Sequence, residues 1–288
     1  MQPRVELVRV FPEGPAGGNP APIVLDAAGM SDAQMQAVAR SSGHESGFVV
    51  PASAASGADF GLRFWVPNHE MSMCGHATVG AVWLLDREGL LPRDDVRIET
   101  LSGLVAARVV GRQVEVSQPA GVVEAVPDDV AAAVAGVLGI TAAELAAPLQ
   151  NARTSRVKTL VPLASVEALD GLQPDFGRVE AVCAALGSTG LYPYAVGDAA
   201  GQVFHARQFP RSSGYPEDAA TGIAAAALCF GLLEQGRVRA DETPIHVRQG
   251  QAMGSPSRIS LRFRLSGEQV DGIWLGGRVE LAAGDAVR

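Results

Sequence analysis

Residues 67–78 read PNHEMSMCGHAT, and residues 210–221 read PRSSGYPEDAAT. Each stretch opens on a proline, closes on a threonine eleven positions later and runs into an apolar segment. The first is followed by VGAVWLLDREG (79–89), the second by GIAAAALCFGLLEQG (222–236), which is four residues, or about one helical turn, longer. Each apolar segment then leads through a strand-like stretch, a glycine turn and a second strand-like stretch. These are VRIETLSG (96–103) with LVAARVV (104–110), and PIHVRQGQAMG (244–254) with SRISLRFRLSG (257–267). The repeated order predicts an internal duplication. Both helices are almost wholly apolar, through Val82, Trp83, Leu84 and Leu85 in one and residues 224–228, Phe230, Leu232 and Leu233 in the other. A helix apolar all round has to be enclosed, and strands wrapped around it in each half would do so.

The rest of the first half fits that pattern. VELVRVF (5–11) and PIVLD (22–26) read as strands, and Ser31 reads as the N-cap of a helix with Met35, Val38 and Ala39 on one face. Gly43 is its expected stop. GLRFWVP (61–67) reads as a strand and HATVGAVWLLDREG (76–89) as a helix. LVAARVV and QVEVSQ (113–118) form a hairpin around Gly111-Arg112, and PAGVVEAVPDD (119–129) reads as a crossing between domains.

Composition removes several classes of function. The chain has 288 residues, 47% apolar and 19% charged, enough for a large core, and its net charge of −8 argues against nucleic acid or an anionic membrane as partner. No stretch approaches the roughly 18 apolar residues of a membrane span, and MQPRVELVRVF (1–11) resembles a strand and not a signal peptide. Three cysteines, Cys74, Cys183 and Cys229, with no CxxC pair suit a reducing, cytoplasmic setting. There is no GxGxxG after a strand, GxxxxGK[ST], HExxH or GxSxG. His69 and His76 have no ligand partners at metal spacing, so no metal is expected.

The chemistry-bearing residues gather in three places. Glu45, in SSGHESGFVV (41–50), stands between Gly43 and Gly47 at a helix-to-strand junction. Cys74-Gly75-His76-Ala77-Thr78 and Glu217-Asp218-Ala219-Ala220-Thr221-Gly222 each lead into an apolar helix. A helix N-terminus offers unpaired N–H groups and favours a carboxylate, and two such ends facing across a domain interface would suit a small anionic substrate. Singly, each residue has a plain alternative: Asp218 as a cap, His76 as a structural histidine, Cys74 as a small semi-buried residue, Glu45 as a solvated turn acid.

GGNPAPIVLD (17–26), GHESGFV (43–49), FWVPNHEMSMCGHAT (64–78), PEDAATG (216–222) and RQGQAMGSPS (248–257) occur in the order found in the phenazine-biosynthesis PhzF-like family, and the chain resembles it along its whole length. The resemblance implies a diaminopimelate epimerase-like α/β (α+β) fold of two pseudo-symmetric domains, each a β-barrel-like sheet around a central apolar helix. The halves would be 1–118 with about 274–288, where WLGGRVELAAG (274–284) returns, and 119–273, with the active site in the cleft between them. It further implies a homodimer and an isomerase or epimerase that moves a proton between carbons of a small carboxylate-bearing substrate, without cofactor or metal. Glu45 would be the general acid/base, His76 and Asp218 its partners, and Gly75, Thr221, Gly222 and Ile223 would bind substrate. Two departures matter: Ile223 stands where the family commonly has serine, and Ser255 where arginine is frequent. The alternatives are a thiol-based racemase or epimerase using Cys74, whose mate would fall near residues 217–219, and a non-catalytic small-molecule-binding homologue.

Overall fold

The computed structural model describes residues 3–241 and 243–282. The chain divides into two compact units: one runs to Ser117 and resumes at Gly276, and the other is Gln118–Leu275. The first contains β1 (Glu6–Val10), β2 (Asn19–Val24), α1 (Asp32–Ser42), β3 (Ser46–Val50), β4 (Phe60–Trp65), β5 (Glu70–Met71), α2 (Gly75–Arg87), β6 (Asp95–Thr100) and β7 (Gly103–Val110). Within β8 (Gln113–Pro119) the chain enters the second unit. There follow β9 (Val122–Ala125), α3 (Asp128–Leu138), β10 (Gln150–Arg153), β11 (Val157–Pro162), α4 (Val166–Asp170), α5 (Phe176–Ala185), β12 (Gly190–Asp198), β13 (Val203–Ala206) and β14 (Phe209–Pro210). The unit continues with α6 (Gly222–Glu234), β15 (Ile245–Gln249), β16 (Ser257–Ser266) and β17 (Gln269–Gly277), in which the chain leaves it again. β18 (Val279–Leu281) pairs antiparallel with β1; of the expected terminal segment, residues 283–288 lie outside the described residues, as do residues 1 and 2.

The duplication is visible in the sense of strand pairing. In the first unit β1–β2 is antiparallel, β2–β3 parallel, β3–β4 antiparallel, β4–β6 parallel and β6–β7 antiparallel. In the second, β10–β11, β11–β12, β12–β13, β13–β15 and β15–β16 repeat those five senses in the same order. A parallel pair needs a crossover connection. α1 and α2 supply the two crossovers of the first unit, and α4 with α5, then α6, supply those of the second. α2 and α6 therefore hold equivalent places.

Each is enclosed as its composition demands. α2 packs on β1, β2, β3, β7 and β18, and α6 on β9, β10, β11 and β16. Every residue of α2 up to Val82 is buried, and every residue of α6 up to Leu232. The approach is close: a Cβ on Gly80 would stand 2.9 Å from Val8 Cγ2 and 3.2 Å from Val10 Cγ2. Stiff β-branched neighbours cannot yield that space easily, which explains a glycine in mid-helix.

Three expectations are corrected. The helices do not differ in length, since each has 13 residues. Thr78 lies a full turn inside α2 and donates to the Cys74 carbonyl at 2.7 Å, whereas Thr221 is itself the N-cap of α6. The N-cap of α2 is thus Cys74 and that of α6 Thr221, so the two threonines that close the repeated stretches are not equivalent in the helices they precede. The stretch 119–129, read as a plain crossing, also holds β9, which pairs with β10.

Ser31 caps α1 reciprocally: its Oγ accepts from Gln34 N, and its backbone N donates to Gln34 Oε1 at 2.8 Å. Gly43 closes the helix at φ 71°. Met35 and Ala39 bury against Phe48 and Trp65. Among the described residues no helix is long and apolar enough to cross a membrane.

If enclosure of α6 carries much of the second unit's stability, Leu228→Ala, at a fully buried position, will cost about 2–5 kcal/mol in urea unfolding. Leu101→Ala, at a position 66% exposed, will stay within about 0.5 kcal/mol.

Candidate functional site

In the first unit the site is made by a turn and a helix start. Gly43 ends α1 in a left-handed conformation, and two residues later Glu45 stands immediately before β3. Its carboxylate is 16% exposed and meets the first turn of α2. Cys74 Sγ lies 3.0 Å from Glu45 Oε2 and 3.4 Å from His76 Nδ1, and His76 Nδ1 lies 3.6 Å from the same oxygen. Cys74 and His76 are each only 4% exposed. Three groups that can exchange protons thus share one enclosed spot. The thiol donates to Glu45; which ring nitrogen of His76 carries hydrogen depends on its tautomer. His76 Nε2 is buried with no hydrogen-bond partner among the described residues. Burial, and secondarily the nearby His76, push the His44 imidazole below its usual range, so it stays neutral near pH 7.

In the second unit the start of α6 is held by amide and hydroxyl groups. Thr221 Oγ1 donates to Asp218 Oδ2 at 2.5 Å. Gln249, fully buried, donates through Nε2 to the Asp218 carbonyl at 2.7 Å and to Thr221 Oγ1 at 3.1 Å. Its Oε1 accepts from Thr221 N at 3.3 Å and from the Tyr192 hydroxyl at 2.9 Å. Burial, then Cys229 and Asp218, raise the Tyr192 phenol well above its ordinary value, so it keeps the proton it donates. Gly222 and Ile223 follow as the first residues of α6, with Ile223 only 8% exposed.

Behind Asp218 lies a buried ion pair. Arg207 grips Glu217 with Nε to Oε1 at 2.9 Å and Nη2 to Oε2 at 2.8 Å. Its Nη1 donates to the Leu172 carbonyl at 3.1 Å and the Leu169 carbonyl at 3.3 Å. With Asp218 N bonded to the Gln208 carbonyl at 3.1 Å, the residues on both sides of the Glu217–Asp218 peptide are anchored. This fork is the geometry for which arginine is suited.

Glu45 and His76 are therefore brought together with Cys74 in one unit, and Asp218, Thr221 and Gly222 at the equivalent helix start of the other. Gln249, Tyr192, Arg207 and Glu217 were not singled out as supports. Gln249 lies in a quoted motif; the Arg207–Glu217 contact spans ten residues of loop and leaves no local pattern. The other cysteines differ from Cys74. Burial pushes the Cys183 thiol up to about 11 and the Cys229 thiol well up as well, which marks both as packing residues.

Repeated pairing order around an enclosed apolar helix, with polar residues collected at the helix start, defines the class: an isomerase-type fold of the diaminopimelate epimerase-like kind. A family model described as "Phenazine biosynthesis-like protein" matches residues 8–279, and the chain belongs to that family. It is 33% identical over 282 residues to an uncharacterized isomerase of Deinococcus radiodurans, across 94% of this chain and 90% of that one. It is 27% identical over 279 residues to a trans-2,3-dihydro-3-hydroxyanthranilate isomerase of Pseudomonas fluorescens, covering 94% of each. A phenazine biosynthesis protein of the PhzF family from Bacillus anthracis has a similar structure, with a TM-score of 0.84 at 25% identity and 96% of each chain covered.

Truncating one member of the buried pair strands the other. Glu217→Ala will cost about 3–5 kcal/mol of unfolding free energy, read by denaturant titration. A loss below about 1 kcal/mol would show that the pair is not what anchors this loop.

Proposed function

We propose that the protein is a cofactor-independent isomerase that moves a proton between carbons of a small carboxylate-bearing metabolite. Glu45 is the proton shuttle, and His76 and Asp218 assist or position. The observation that carries this reading is the Glu45 carboxylate, largely enclosed, with the Cys74 thiol at 3.0 Å and the His76 imidazole at 3.6 Å. A general acid/base must reach the substrate and be reloaded between turnovers, and neighbouring groups that hold protons serve the second need. The N–H groups at the starts of α2 and α6, around Gly75-His76 and Gly222-Ile223, have no intrahelical partners and suit the substrate carboxylate and developing negative charge, with Thr221 beside them offering its hydroxyl.

The Pseudomonas fluorescens relative is named for a reaction of this class. Ile223 places a buried apolar side chain where the family commonly has a hydroxyl, so the substrate differs from that relative's where it meets α6. Cytoplasmic residence and homodimer assembly belong to the same reading and rest on the family resemblance. The thiol-based alternative is weakened by the lack of a second thiol, since residues 217–219 are Glu, Asp and Ala and the N-cap of α6 is Thr221.

The test is exchange of a carbon-bound proton in deuterated water, followed by NMR on small carboxylates identified by mass spectrometry as co-purifying with the protein. Wild-type protein will incorporate deuterium, and Glu45→Gln will slow incorporation at least ~10²-fold. Exchange that survives unchanged in Glu45→Gln sinks the proposal. If Cys74→Ser abolishes exchange while Glu45→Gln does not, the thiol mechanism is correct. Tight binding without exchange of any ligand would make the chain a binding protein.

A further inference from the structure

We propose that Glu45, Cys74 and His76 also form a binding site for an exchangeable divalent cation of the zinc type. Their ligand atoms, Oε2, Sγ and Nδ1, make a triangle with edges of 3.0, 3.4 and 3.6 Å. A tetrahedral zinc, with bonds near 2.3 Å to sulfur and near 2.0–2.1 Å to nitrogen and oxygen, requires ligand separations of about 3.3–3.6 Å. Two edges already fall within a few tenths of an ångström of that requirement. The sulfur–oxygen edge has to open by about half an ångström. These are the only three histidine, cysteine, aspartate or glutamate side chains among the described residues that converge so closely.

The donor set argues for zinc over the harder cations. Thiolate and imidazole select borderline-soft metals, whereas magnesium and calcium take oxygen ligands. Charge also balances: thiolate, carboxylate and neutral imidazole carry two negative charges between them and neutralise a dication. The start of α2 opposes a cation on its own, but it favours the deprotonated thiol and carboxylate that a cation requires. The metal therefore takes the place of the proton now held between Cys74 and Glu45, and binding releases that proton.

Two features make the site exchangeable and not structural. It has three protein ligands, which leaves a fourth position open. Histidine ligands of permanent sites normally anchor their second nitrogen, and His76 Nε2 has no such partner among the described residues. The inference does not depend on Glu45 being the proton shuttle, but a bound cation would occupy the same carboxylate oxygen.

The full-length protein, freed of metal by chelation, is titrated with Co²⁺ as a spectroscopic substitute and then with Zn²⁺. One equivalent of Co²⁺ will bind with a thiolate-to-metal absorption band in the near ultraviolet, and Zn²⁺ will displace it. The band will vanish in Cys74→Ser, and His76→Gln will weaken binding at least tenfold. X-ray absorption at the zinc edge of the wild-type protein needs no variant, and will show one sulfur at about 2.3 Å with nitrogen and oxygen near 2.0–2.1 Å. Failure to take up either metal, a band that persists in Cys74→Ser, or a zinc shell without sulfur overturns the inference. Zinc uptake together with unimpaired exchange in Glu45→Gln would leave this site standing and remove the proposed catalytic role. Loss of exchange in Glu45→Gln without metal uptake would do the reverse.

Discussion

The structure depends on the enclosure of two helices that are apolar all round. A buried helix satisfies its own backbone except at its ends, where the first N–H groups have no partner within it. Polar side chains are thus excluded from most of the length of α2 and α6 and drawn to their first turns. Glu45, Cys74 and His76 gather at one start, and Asp218, Thr221 and Gln249 at the other. The same constraint makes Gly80 a glycine, since no side chain fits between α2 and Val8.

Much of this was legible in the sequence because it follows from local composition. Two apolar segments followed by matching strand pairs announce a duplication, and Ser31 with Gly43 brackets a helix and leaves Glu45 at its exit. The start of each central helix was not legible. The spacing from proline to threonine measures a loop, whereas a helix begins where the backbone turns from extended to helical. That happens at Cys74 (φ −138°) and at Thr221 (φ −122°), which are not equivalent in that spacing. β9 was hidden for a different reason: four residues carry little periodicity, and the strand exists through its pairing with β10, some twenty-five residues on. Arg207 and Glu217 likewise meet through the course of a loop.

The two halves share topology and have diverged in chemistry. One helix start offers a carboxylate, a thiol and an imidazole; the other offers a carboxylate, a hydroxyl and a carboxamide. No cysteine stands at the start of α6 to match Cys74, so the two starts are not a symmetrical pair of thiols. Cys183 and Cys229, buried among apolar groups, show what a cysteine does here when no acid or imidazole stands beside it.

Neither Cys74 nor Thr221 makes a side-chain capping bond to its own helix. Even a good N-cap contributes only about 1 kcal/mol, so what holds these two side chains is not capping but their contacts with Glu45 and His76 in one unit and with Asp218 and Gln249 in the other. Any exchange of thiol for hydroxyl there would have to be matched among those polar neighbours rather than in the helix backbone. A scaffold that keeps such clusters to the first turns of two enclosed helices leaves its apolar core out of those changes.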